Sequence, residues 1–142
     1  MIILHNEYLA LPADEQSTYS IKLIFKDENK IAVIPATLVW TLSAEDGQVI
    51  NGRYKVVPAL LASTMYITMY GDDLQLIDKK ELYETRICTL EGTYNSTLGT
   101  NLPFKKQYFF RVRNVILVAI ALSVSAAEVV FTNDYVEDVA SA

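Results

Sequence analysis

Hydrophobic and polar residues alternate with period two along most of this chain, and that period predicts strands. Ser17 to Lys26 places Tyr19, Ile21, Leu23 and Phe25 on one face and Ser20, Lys22 and Lys26 on the other. The polar Asp27 to Lys30 then reads as a turn. In IAVIPATLVWTLS, Pro35 stands early, where it starts or edges a strand without removing an interior ladder bond, and Leu38, Trp40 and Leu42 share a face. Asp46-Gly47 is a short hairpin signal, so Val49 to Val57 is predicted to return antiparallel to the Trp40 strand. In STMYITMY, Met65, Ile67 and Met69 alternate with Thr64, Tyr66, Thr68 and Tyr70. Gly71-Asp72-Asp73-Leu74 ends that strand, with Asp72 or Asp73 capping one helical turn that reaches Ile77. Glu81 to Asn114 reads as a long hairpin with NSTLGTNLP as its loop. Its inward sets are Cys88, Leu90 and Tyr94, in parity with Gly92, and Tyr108, Phe110 and Val112.

About seven strands at roughly ten-residue spacing, with turn signals between them, predict an all-β fold: an immunoglobulin-like antiparallel β-sandwich over residues 1–113. An early Trp40 and a late inward Cys88 suit it, and the missing second cysteine makes it a disulfide-free kind. Residues 114–142 form a C-terminal apolar strand or arm followed by an acidic tail. Only fourteen residues separate Arg113 from Glu128, short of the ~20 that a membrane helix needs. The run is also rich in Val and Ile, so it is expected as a strand or as an arm packed on another subunit, and no membrane span is expected. The closing TNDYVEDVASA is acidic and expected to be solvated or partner-bound.

The 142 residues suffice for one domain with a core. Nine Tyr and five Phe against five Gly favour pleated surfaces over helices. A formal charge of −5 repels a polyphosphate backbone, so nucleic acid is not an expected partner. With Cys88 alone, the fold must hold by packing, which suits assembly in a reducing cytoplasm. MIILHNEYLALPADE lacks the features of a secretory leader, so the Asn95-Ser96-Thr97 sequon is expected to serve as loop chemistry.

Catalytic candidates are few. His5 is the only histidine and Cys88 falls on an inward face, so neither a Ser/His/Asp nor a Cys/His arrangement is expected, and zinc lacks its ligands. Asp72-Asp73 is the pair to weigh for a metal, but sequence neighbours point apart and no regular oxygen-ligand spacing surrounds them. The glycines are scattered singly, with no phosphate loop. The expectation is therefore a non-enzyme with no catalytic residue, metal or cofactor. Protein contact is the better-supported role. Tyr66, Tyr70 and Phe109 lie opposite the inward faces, where exposed aromatics favour contacts. Lys105, Lys106, Arg111 and Arg113 make the return strand positive; Arg111 and Arg113 share a solvent face that either meets an acidic partner or guards a sheet edge. Val115, Leu117, Ile120, Leu122, Val124 and Phe131 are the apolar contact candidates of the arm.

Four segments in order carry a resemblance: IKLIFKDENK, ATLVWTLSAEDGQVIN, STMYITMYGDDLQL and TRICTLEGTYNSTLGTNLPFKKQYFFRV. The series resembles small immunoglobulin-like virion proteins encoded in the structural gene clusters of tailed bacteriophages. Those proteins carry a "TWTL...DGTVIN"-like hairpin, a Ser/Thr-rich strand ending in "GDDL", and a "TYDS-LG-NLPL" loop. The likeness spans Tyr19 to Val112 and its motifs are structural. It implies a non-enzymatic virion component made in the host cytoplasm: a capsid decoration or cement protein binding the head lattice, or a neck or tail component. The implied partners are further copies of itself and other virion proteins such as the major capsid protein. A carbohydrate- or ligand-binding module that uses Tyr54, Tyr66, Tyr70 or Trp40 as stacking platforms is the alternative from another class.

Overall fold

The structure, a computed structural model, describes residues 6–117 and 134–141. The fold is all-β: among the described residues there are eight strands, two of them no more than three residues long, in two facing sheets that form a sandwich. One sheet contains β1 (Asn6–Tyr8), β2 (Ala13–Asp14), β4 (Thr37–Ala44), β6 (Tyr83–Ser96) and β7 (Gly99–Arg113). Its order is β1-β7-β6-β4, with β2 further along the same margin of β7 as β1. The other sheet is β5 (Thr64–Tyr70), β3 (Thr18–Lys26) and β8 (Asp134–Ser141), in the order β5-β3-β8.

The alternation does what its period requires. Tyr19, Ile21, Leu23 and Phe25 are fully buried while the residues between them are half-buried. On β5, Met65, Ile67 and Met69 point inward and every intervening residue is exposed. Leu38, Trp40, Leu42, Cys88, Leu90, Tyr94, Tyr108, Phe110 and Val112 supply the opposing layer, as their parity predicts. Each such large side chain taken from water contributes ~1.5–3 kcal/mol. Aromatic rings tie the layers together: Tyr19 stacks on Phe110 at 4.9 Å, and Phe25 meets Phe104 at 5.7 Å. The Tyr19 hydroxyl donates to the Leu11 carbonyl at 2.6 Å, so burying that ring leaves its polar tip satisfied.

Gly92 occupies the one inward position of β6 where a side chain cannot fit. A Cβ there would lie 2.2 Å from the Thr37 carbonyl oxygen and 2.9 Å from Phe104 Cζ.

Several expectations are corrected. The sheets are mixed rather than purely antiparallel, because β1 and β2 run parallel to β7 and β8 runs parallel to β3. All three reach their neighbours from distant parts of the chain, so no tight turn imposes opposite direction. The loop of the β6–β7 hairpin is shorter than the predicted NSTLGTNLP, the strands closing over Thr97 and Leu98 alone; Asn95 Oδ1 accepts the Asn101 N–H and Ser96 Oγ the Leu98 N–H, while Ser96 Oγ donates to Glu28. Val49 to Val57 does return antiparallel to β4, but as isolated bridges at Val49 and Val56, since Asn51 and Gly52 take positive φ and bend the segment outward. The turn after β5 is a 3-10 turn over Gly71–Leu74 and stops short of Ile77. Within the acidic tail, expected to be solvated or partner-bound, residues 134–141 form a strand that pairs with β3 from Tyr19 to Lys26. Residues 115–117 start with helical backbone instead of extending β7. Among the described residues, no helix is long and apolar enough to cross a membrane.

Candidate protein-contact surface

The outer face of the β5-β3-β8 sheet holds two of the predicted contact aromatics. Tyr66 and Tyr70 are 52% and 58% exposed, since even-numbered positions of β5 point away from the core. Between them Thr68 shares a 2.8 Å hydroxyl hydrogen bond with Ser20 of β3, and Arg53 lies over the Tyr70 ring at 5.9 Å. Beside β5 the chain from Pro58 to Ala62 frames a shallow groove of about 420 Å³, which Trp40 also lines. Leu60 is 79% exposed on its rim, and Val57 and Tyr54 are exposed nearby. Trp40 itself is only 6% exposed.

One buried ion pair shapes this corner. Asp73 is fully buried; its Oδ1 accepts from Arg53 Nε at 2.7 Å and Asn51 Nδ2 at 2.9 Å. Its Oδ2 accepts the Tyr70 N–H at 3.1 Å and Arg53 Nη2 at 3.3 Å. Burial pushes the carboxyl pKa up, but these donors outweigh it and hold it below the ordinary range; the Arg53 guanidinium is correspondingly raised. The predicted Asp72-Asp73 pair is thus split: Asp72 faces solvent, while Asp73 pins the 51–53 bend to the end of β5.

The outer face of the other sheet is largely neutralised within the chain. Phe109, predicted to be outward and available, is half-buried because Tyr8 of β1 stacks on it at 4.8 Å. Arg113, a candidate either for partner contact or for guarding a sheet edge, is paired with Asp14 of β2. Arg111 stays exposed, laid over the Tyr83 ring at 4.4 Å. Lys106 has the parity of Tyr108 and so points inward, buried, with Nζ 3.1 Å from Glu7 and 5.1 Å from the Tyr108 ring. In the arm, Val115 is 43% exposed and Leu117 half-buried. Ile120, Leu122, Val124 and Phe131 lie outside the described residues, as does His5.

A second buried charge escaped the sequence reading. Arg86, 2% exposed, donates to the carbonyls of Thr85 and Gln75, each at 2.9 Å, and pairs with Glu84. Glu84 also accepts the N–H groups of Ile77 and Asp78. Burial would raise its pKa, but those N–H donors and Arg86 hold it below the usual carboxylate range. This pair clamps the 75–78 segment, and every Glu84 oxygen is engaged. Arg86 shares parity with Cys88 and Leu90, which was the available signal of its burial.

Cys88 is fully buried and its thiol is pushed up to about 12, so it is held as an unreactive core side chain. Among the described residues, no three His, Cys, Asp or Glu side chains come together as a metal site. No family model and no curated protein matches the sequence.

Proposed function

We propose that this chain is a non-enzymatic structural protein of a tailed-bacteriophage virion: an immunoglobulin-like sandwich that binds and stabilises the head lattice as a decoration or cement protein. The observation supporting it is where the resembling motifs fall. DENK forms the turn in which Asp27 Oδ1 accepts the Asn29 and Ile31 N–H groups. AEDG forms the turn in which Asp46 Oδ1 accepts the Gln48 N–H, with Gly47 at φ 91°. GDDL supplies the Asp73 latch, and TYNSTLG the β6–β7 tip. Each motif therefore shapes a corner of the framework, which is the kind of residue that a shared structural role would keep.

The proposed partners are other copies of the chain and virion proteins such as the major capsid protein. The fold needs no disulfide, which suits production in a host cytoplasm. The apolar run from Val115 to Phe131 is the proposed assembly element. Truncation at Asn114 is a poor test of it, since that cut also strips β8 from β3. The better experiment is mass spectrometry of purified particles from a host carrying the gene, combined with immunogold microscopy. Label on heads is expected; label at the neck or tail would move the protein there, and particles lacking the chain would refute the proposal. A carbohydrate-binding module is the second reading, favoured by the exposed Tyr54, Tyr66 and Tyr70, although Trp40 is too buried to serve as a platform.

A further inference from the structure

Of the seven asparagines in the chain, only Asn51 precedes a glycine. The pair sits at the crown of a tight turn: the Arg53 N–H donates to the Ile50 carbonyl at 3.0 Å, and Asn51 and Gly52 take φ of 51° and 66°. Those signs and that closing bond belong to a type I′ turn, the conformation that Asn-Gly favours. Both residues are exposed, and a Cβ built on Gly52 would meet nothing within 4 Å, so water reaches the pair freely. The Asn51 amide is nevertheless anchored. Its Nδ2 donates to Asp73 Oδ1 at 2.9 Å, beside the Arg53 Nε bond to the same oxygen at 2.7 Å.

Asparagine before glycine carries a latent reaction, because glycine has no Cβ to obstruct it. The Gly52 nitrogen, after losing its proton to hydroxide, attacks Asn51 Cγ. The N–Cγ bond forms, the Cγ–Nδ2 bond breaks, and Nδ2 takes up a proton from water and leaves as ammonia. Water then opens the five-membered imide. Attack at Cγ gives aspartate; attack at the main-chain carbonyl gives isoaspartate, in which the chain runs through Cβ and Cγ. Water is the only co-reactant, and nothing is oxidised or reduced.

We propose that Asn51 is a deamidation site and that its conversion is a one-way release of the Asp73 latch. Either product replaces the N–H donor to Asp73 Oδ1 with a carboxylate, so two like charges face each other where a hydrogen bond stood, and both compete for Arg53. Isoaspartate also lengthens the main chain between Ile50 and Arg53, whose hydrogen bond closes the turn. Arg53 lies over the Tyr70 ring as well, so its release alters the outer face of β5. The latch in turn protects Asn51. The amide must leave Asp73, and the turn must open, before the Gly52 nitrogen reaches Cγ.

This inference is independent of the virion reading. The full-length chain is held in warm, mildly alkaline buffer, folded or unfolded in urea, and sampled by tryptic mass mapping. Cleavage after Lys30 and Arg53 yields a peptide in which Asn51 is the one asparagine, and fragment ions separate it from Gln48. Isoaspartate is read with an isoaspartyl methyltransferase. The folded chain is expected to convert at Asn51 ahead of the other six asparagines. The unfolded chain should convert there about tenfold faster or more, since no charged acceptor holds the amide. Asp73→Asn, which weakens the latch, should fall between. The converted fraction, separated on an ion exchanger by its added negative charge, should unfold at a lower temperature than its parent, as should Asn51→Asp. A folded chain that leaves Asn51 intact while the unfolded chain converts it overturns the site. Equal rates in the two states overturn the protection, and a converted fraction as stable as its parent overturns the release.

Discussion

Replacing Asp73 by Asn keeps the shape of the side chain and removes its charge, which makes it a clean probe of the latch beside β5. The buried carboxylate accepts four hydrogen bonds, from Asn51, from Arg53 twice, and from the Tyr70 N–H. An amide has only one acceptor oxygen, so two of these bonds are lost and an NH2 group is turned toward donors. Bonds to a charged group are worth ~1.5–3 kcal/mol each, and breaking a buried pair costs ~3–5 kcal/mol. Arg53 is 31% exposed and regains water, which puts the expected loss at ~2–4 kcal/mol. At ~3 °C per kcal/mol for a chain of this size, Tm should fall by roughly 6–12 °C. Thermal and urea unfolding would measure it, with the urea slope unchanged.

The pH dependence follows from the direction of the shift. The folded carboxyl pKa lies below its unfolded value, so the latch contributes fully above about pH 4, near the unfolded pKa. Its contribution is lost as pH falls through the folded value. The stability gap between wild type and Asp73→Asn should therefore shrink in acid. A gap under ~1 kcal/mol at neutral pH would refute the latch. So would a gap that persists undiminished to strong acid, or a double-mutant cycle with Arg53→Gln that shows no coupling.

Two further outcomes test the packing between the layers. Gly92→Ala should destabilise by ~3 kcal/mol, the upper end for overpacking, because the nearest obstacle is the Thr37 backbone and not a movable side chain; thermal unfolding measures it, and Phe104→Leu in the same chain should not rescue it. Cys88 should resist a thiol reagent at mildly alkaline pH in the native protein and react completely in denaturant; rapid native labelling would mean that the sheets do not close over it.

What the sequence made legible is the set of faces. Period two fixes which side of a strand each residue occupies, so Ile21, Ile67, Leu90 and Phe110 could be placed inward and Tyr66 and Tyr70 outward without knowing any strand's neighbours. Even charged residues obeyed parity over composition: Lys106 and Arg86 are buried because Tyr108 and Cys88 are. What was illegible depends on which strand lies beside which. Tyr8 covers Phe109 and Asp14 takes Arg113 only because two short N-terminal segments run along β7, about a hundred residues away in sequence. Asp73 finds Arg53 twenty residues back through a bend set by Asn51 and Gly52.

The same distinction separates the two sheet faces as contact surfaces. A cation on an outer face is available to a partner only if no strand of its own chain brings a carboxylate beside it, and Arg113 fails that condition while Arg111 has an aromatic ring instead. On the β5 side, Tyr66 and Tyr70 keep most of their exposure. The β7 face spends its predicted contact groups on the chain's own short strands. Contact with another molecule is therefore best sought at the outer face of β5, where these aromatic side chains stay exposed.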